Sequence, residues 1–432
     1  MTNTQFHTDA DDNTLNISHS DTDETVTLSP ITLDGIREAS RDLGNPFDRL
    51  SIHDIELVCT NCNSALETRF SATFDGHPLC WDCAMEASET ENNDIHQTTD
   101  PTKVVLGESG LYHKSLCDYV INVATGCTHG CKFCYVPSTP NIAARQDMLA
   151  DEVGVQDGQQ EWGSYLLYRD DLPERLATRL DRKQTWKRTE RGRGIVMLSS
   201  GTDCYQDRRT AQITRGCVIE LTKRGFPVRI LTRSPAVVRD IDVFQQAVEQ
   251  SSPDGKLIRV GSSIPCLNDE QVKAIEPGAP APSARLRALR EIADHDIPVY
   301  VSMSPTYPTQ TRSDFDNLLQ NFAELGAEVV FHEPINPRGG NFNMTIEAAR
   351  EAGEEALAHE LQKLSDDRDY WLEYSLRQME WAEELGEKHG VDVHIWPDKE
   401  VIKRTDGDIA EQLRAQRDAV SPEAVARPPL SS

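Results

Sequence analysis

Residues 194–232 hold three readable pieces: GIVMLSS over Gly194–Ser200, TAQITRGCVIELTKR over Thr210–Arg224, and PVRILT over Pro227–Thr232. Short apolar runs bounded by Gly, Pro and Ser read as buried strands, and the piece between them has the length and spacing of a crossover helix. The segment therefore predicts a parallel βαβ unit. The same alternation continues outward. Strand candidates recur at Asp118–Val123, Leu257–Ile264, Pro298–Ser304, Glu328–Glu333 and Val391–Trp396, with helical stretches at Ala236–Gln250 and Ala284–His295 and a long helical region over Glu347–His389. Strands alternating with helices predict an α/β fold, here a partial (β/α)6-type parallel barrel with its chemistry at the C-terminal strand ends.

The chain of 432 residues is long enough for that core and a small appendage. Its 44 Lys+Arg against 71 Asp+Glu give 44 − 71 = −27. Arg dominates the basic residues and the acid is spread along the chain, a balance that resembles halophilic proteins. In concentrated salt the Debye length falls to ~3 Å at 1 M, so this charge speaks to solubility and not to partners. No apolar run reaches the ~18–20 residues of a spanning helix, and Met1–Ala10 is polar and acidic, so a cytoplasmic protein with no membrane partner is expected.

Composition divides the chain. Residues 1–45, rich in Asp, Thr, Ser and Asn, read as mostly disordered. Residues 46–90 form a zinc-ribbon-like module and 91–105 a linker. The barrel core with a C-terminal helical extension spans 106–404, and 405–432 read as a flexible tail.

Two cysteine groups stand out among eleven cysteines. Cys59-Thr-Asn-Cys62 and Cys80-Trp-Asp-Cys83 are two C-x2-C knuckles, and four thiolates paired this way close a tetrahedral shell around structural Zn2+. Such a segment is too short for its own core, so metal would supply its folding energy. The second group, Gly126-Cys127-Thr-His-Gly-Cys131-Lys-Phe133-Cys134-Tyr135, is C-x3-C-x2-C directly after the first strand. Three cysteines on one loop can hold three irons of a 4Fe–4S cluster and leave the fourth iron open to a small molecule. A four-cysteine ferredoxin-type site or a zinc site are the alternatives, and the next cysteine, Cys204, is far along the chain. Cys117, Cys204, Cys217 and Cys266 are scattered.

With these residues the sequence resembles the radical S-adenosylmethionine (radical SAM) superfamily and, within it, the spore-photoproduct-lyase-like group, over about residues 110–345. The resemblance runs through Ile121–Tyr135, Ser200–Asp203 with Tyr205-Gln206, Arg229–Pro235, Ser262–Ile264, Glu276–Pro280 with Arg285-Leu286, and Ser302–Pro305. It implies a 4Fe–4S cluster on Cys127, Cys131 and Cys134, whose open iron binds S-adenosyl-L-methionine. Reductive cleavage would then give methionine and a deoxyadenosyl radical that abstracts hydrogen from a substrate. Phe133 is placed to pack on the adenine. Thr202 and Ser263 match polar cofactor contacts at strand ends, with turn capping as the plainer role for both. Arg233 stands where the group carries Lys. The lyases also carry a hydrogen-donor cysteine where this chain has Ser200. Cys204 is the substitute candidate for a catalytic thiol, weighed against an ordinary buried core thiol.

One basic stretch, Glu174–Arg193 with Trp186 inside it, reads either as a phosphate contact or as a solvated helix face, and the second reading is preferred. Three function classes follow: a radical SAM enzyme acting on DNA or RNA, one acting on a protein or metabolite, and a non-catalytic iron–sulfur and zinc protein that senses redox state or binds a partner. An electron donor such as a ferredoxin or flavodoxin is implied for the first two.

Overall fold

The computed structural model describes residues 95–182, 194–251 and 255–421, together with the backbone of several strands outside those ranges. The chain divides into two units, Met1–Asn93 and Asp94–Ser432. In the first, Thr4–Asp9, Thr14–His19 and Thr25–Leu28 pair as an antiparallel sheet. The segment 1–45, expected to be mostly disordered, thus carries strands where Thr, Ile, Val and Leu alternate with polar residues. Two hairpins follow, Leu57–Val58 with Ala65–Leu66 and Ser71–Phe74 with His77–Cys80. Cys80 ends the last strand, while Cys59, Cys62 and Cys83 lie outside the described residues.

The second unit is organised on an eight-stranded sheet whose strands lie side by side in sequence order. They are β1 (Gly107–Glu108), β2 (Tyr119–Ile121), β3 (Val196–Leu198), β4 (Val228–Thr232), β5 (Ile258–Ser263), β6 (Val299–Thr306), β7 (Val330–Pro334) and β8 (Val393–Ile395). β1 pairs antiparallel with β2, and β2 through β8 are parallel. Each strand candidate from the sequence falls on one of β2–β8. Strands β3 and β5 are buried along their whole length, as a parallel sheet covered on both faces requires. The edges β1 and β8 do not pair, so the barrel is partial.

Helices α1 (Arg208–Thr222), α2 (Ile241–Glu249), α3 (Pro282–Asp294) and α4 (Arg312–Glu324) cross between successive strands. Asp207 caps α1, its carboxylate accepting the Thr210 N–H at 2.6 Å, which fixes where the loop after β3 must end. The long helical region between β7 and β8 is three helices, α5 (Gly340–Glu351), α6 (Glu355–Asp366) and α7 (Arg368–His389). Gly353 at φ 80° makes the first break and the Asp367 cap the second.

Two expected boundaries are corrected. The linker 91–105 contains the strand His96–Thr99, which pairs with Tyr165–Tyr168; that strand also pairs with Ala124–Thr125. Tyr165–Tyr168 is fully buried and supplies the partner that a linker would lack. The tail 405–432 begins with a helix, Gly407–Asp418, which buries Ala410 and Leu413. Past it, the Ser421 N–H donates to Ser115 Oγ at 3.2 Å. Among the described residues no helix is long and apolar enough to cross a membrane.

Candidate active site

The three cysteines of the second group sit on the loop that leaves Ala124–Thr125 and ends at the short turn Val136–Ser138. Close packing shapes this loop. A Cβ on Gly126, at φ +95°, would stand 2.1 Å from the Tyr165 carbonyl oxygen, so only glycine fits. On another side the segment after the helix Asp269–Ile275 is hydrogen-bonded to the loop. The Lys132 N–H donates to Ile275 O at 2.9 Å and the Gly278 N–H to His129 O at 3.0 Å. Side chains complete the hold. Gln206 accepts the Thr128 N–H at 2.7 Å, and Asn341, from the first turn of α5, donates to Phe133 O at 2.7 Å and Cys134 O at 3.0 Å.

The loop forms one wall of a cavity of about 440 Å³ at the C-terminal ends of the strands. Cys127, Cys131, Cys134 and Phe133 line it together with Thr202 after β3, Arg233 after β4 and Ser263 at the end of β5. The parallel register brings these residues to one rim, although they stand about thirty positions apart. Thr202 Oγ1 donates to Gly126 O and accepts from Gln206 Nε2 at 2.9 Å. Arg233 Nε donates to Glu276 at 2.9 Å, and its guanidinium carbon lies 5.7 Å from the Phe133 ring centroid.

Asp203, beside Thr202, ties the strand ends together. Its carboxylate accepts Thr232 Oγ1 at 2.6 Å, the Arg233 N–H at 2.7 Å and the Tyr205 N–H at 2.9 Å. His129, between the first two cysteines, places Nδ1 3.5 Å from the same carboxylate. Burial holds His129 below its usual pKa even though that carboxylate acts the other way.

Cys127 and Cys131 are buried and Cys134 is half-buried. Burial pushes the Cys127 thiol up to about 12, with Asp203 adding to it, and the Cys134 thiol up to about 11. Cys131 is raised well above the ordinary thiol value by the same cause. Soft thiols so placed give up their protons only to a metal. Among the described residues no three His, Cys, Asp or Glu side chains converge on a point that would hold a single ion. Three thiols on one loop at the wall of a cavity are a donor set that suits three irons of a cluster and leaves a fourth open to the cavity.

Cys204 is not brought to the cavity. It is fully buried, with Sγ 3.5 Å from Leu198 O, so the structure supports the core-thiol reading. Ser200 does line the cavity. Of the basic stretch, Arg175 is bound to the carbonyls of Thr102 and Lys103, and Lys183, Trp186, Lys187 and Arg191 lie outside the described residues. Sequence reasoning missed Asn341, Gln206 and Glu276 as parts of the site. Glu276 and Gln206 stood inside segments already singled out, but no local pattern marks Asn341.

The family model "Radical SAM superfamily" matches residues 121–322, from the end of β2 into α4. The uncharacterized protein ORF301 of Acidianus two-tailed virus is 30% identical over 249 residues, 56% of this chain and 75% of that protein. The chain belongs to the radical SAM superfamily. The uncharacterized protein MJ0683 of Methanocaldococcus jannaschii is 28% identical over 191 residues, 44% of this chain; the chain spans 61% of that relative. Among solved structures, a spore photoproduct lyase variant with dinucleoside spore photoproduct is 12% identical with a TM-score of 0.49, covering 84% of this chain and 93% of that one. As a radical SAM enzyme, the chain is implied by its superfamily to use a 4Fe–4S cluster and S-adenosylmethionine.

Proposed function

We propose that Cys127, Cys131 and Cys134 hold the 4Fe–4S cluster, that S-adenosylmethionine lies against Phe133, Thr202, Arg233 and Ser263, and that a substrate in the same cavity is modified. The observation that carries this reading is the meeting of all seven side chains on one cavity. When bound, the cluster and cofactor supply reductive S–C cleavage and a carbon radical. The chain's own part is positioning and exclusion of water. Arg233 spends Nε on Glu276, which keeps its terminal nitrogens for a carboxylate. Thr202, donating to Gly126 O and accepting from Gln206, keeps acceptor capacity for a cofactor donor. Phe133 offers a flat apolar face.

Ser200, which stands where the photoproduct lyases carry a hydrogen-donor cysteine, lines the cavity, and this serine favours a modifying reaction over photoproduct repair. The four N-terminal cysteines, Cys59, Cys62, Cys80 and Cys83, remain our proposed structural zinc site.

The test is anaerobic reconstitution with iron and sulfide, reduction with dithionite, and chromatography of deoxyadenosine. The wild-type chain should form it, and Cys127→Ala, Cys131→Ala and Cys134→Ala should each form none. Any one of the three working at the wild-type rate would overturn the ligand assignment. No deoxyadenosine from a fully loaded wild type would favour a redox-sensing protein.

A further inference from the structure

Behind the cavity wall lies a buried carboxylate with two cationic partners. Glu276 Oε2 accepts from Arg233 Nε at 2.9 Å and from Arg285 Nη2 at 2.6 Å, and Oε1 accepts the Tyr307 hydroxyl at 3.0 Å. Glu276 and Arg285 are closed off from solvent, their side chains 0% exposed, whereas Arg233 is 20% exposed. Of the two cations only Arg233 reaches the cavity, because Arg285 is committed elsewhere: Nε donates to Pro280 O at 2.7 Å and Nη1 to Ser263 O at 2.9 Å.

Unpaired, a buried Glu would protonate and a buried Arg would be costly. Here burial raises the Glu276 pKa, but Arg285 and Arg233 outweigh it and hold the carboxyl at about 2. The anion therefore persists, and so does the orientation it imposes on Arg233. The same segment braces the cluster loop through Ile275 O and the Gly278 N–H. One rigid element thus references the cluster loop, the Arg233 guanidinium and the end of β5.

We propose that Glu276 is a positioning residue that aims Arg233 at the carboxylate of S-adenosylmethionine and, through Arg285, fixes the Ser263 strand end beside it. This rests on the reading of Arg233 as a cofactor contact. Arg233 supplies the charge-assisted bond; Glu276 supplies its direction and touches no ligand.

The experiment measures equilibrium binding to the cluster-loaded full chain of two probes, S-adenosylmethionine and its decarboxylated analogue, which keeps the sulfonium, amine and adenosine. Wild type should prefer the carboxylate-bearing probe. Glu276→Gln should weaken that probe by about 10- to 100-fold and the analogue by less than about threefold. In an Arg233→Ala background, Glu276→Gln should then cost less than about twofold more, because the interaction it directs is gone. Equal losses for both probes, or an undiminished effect without Arg233, would overturn the proposal. A wild type with no preference between the probes would instead remove the reading of the site beneath it. If Glu276→Gln loads no iron, Tyr307→Phe keeps the charge and loses one hydrogen bond to the carboxylate. It should weaken S-adenosylmethionine about two- to fivefold and leave the analogue unchanged, and a variant that affects neither probe or both alike counts against the proposal.

Discussion

Alanine at Gly278 would press directly on the cluster loop. Its Cβ would stand 2.2 Å from the Thr128 carbonyl oxygen and 3.1 Å from the Cα of His129, both backbone groups. Ordinary contact begins near 3.4 Å, so the two segments must part by about 1 Å. That separation breaks the bond from the Gly278 N–H to His129 O and the one from the Lys132 N–H to Ile275 O, at 3.0 and 2.9 Å. Two such bonds contribute ~1–3 kcal/mol together, and overpacking of a fitted interior costs a similar ~1–3 kcal/mol. A destabilisation of about 2–6 kcal/mol is expected, localised at the loop that carries the three thiols. Thermal unfolding of the full chain and iron content after anaerobic reconstitution measure it. Gly107→Ala is the control, since nothing lies within 4 Å of a Cβ there. Gly278→Ala should melt lower and retain less than half the iron of the control. Equal melting and equal iron in the two variants would refute the account of the loop's support.

Three further outcomes are expected. Arg233→Ala should weaken S-adenosylmethionine binding most, by ~1.5–3 kcal/mol for a charge-assisted contact, and Thr202→Ala and Ser263→Ala by ~0.5–1.5 kcal/mol each; the reverse order in a titration would contradict the assigned roles. Removal of residues 1–93, the first unit, should leave iron loading intact while metal analysis shows the loss of zinc. Burial holds His332 neutral, with its pKa lowered to about 3, so between pH 6.5 and 3 the unfolded chain binds the extra proton and stability falls as the pH falls. The slope from this one group is at most ~1.4 kcal/mol per pH unit. His332→Asn should flatten denaturation midpoints across that window, and an unchanged pH profile would show that His332 takes up its proton in the folded state.

The strands were legible because each is a short apolar run between turn residues, and a parallel sheet buries such runs on both faces. That Thr202, Arg233 and Ser263 would share a rim was legible because each lies at or just past a strand end, and the barrel collects strand ends at one rim. Tyr165–Tyr168 was missed because four residues without flanking alternation give little signal. Its identity comes from a partner, His96–Thr99, within a stretch that reads as linker. Asn341 was invisible for a related reason: its two bonds reach residues 208 and 207 positions away. Cys204 reads either as a catalytic thiol or, preferably, as a core thiol, and its burial beside the Leu198 and Leu231 carbonyls supports the core. Contacts that depend on two distant segments meeting leave no mark on either one.

The distance between Cys134 and Asn341 has a consequence for how the protein is made. With 207 positions between them, and synthesis at ~5–20 residues per second, the thiols leave the ribosome ~10–40 s before the side chain that fastens their loop exists. During that interval the thiols are on an unfinished wall, open to oxygen and to stray metal. Iron loaded then would sit on a loop still able to move, whereas iron loaded after α5 has docked meets fixed ligands. The loop that carries the three thiols is thus completed only when α5 has been made.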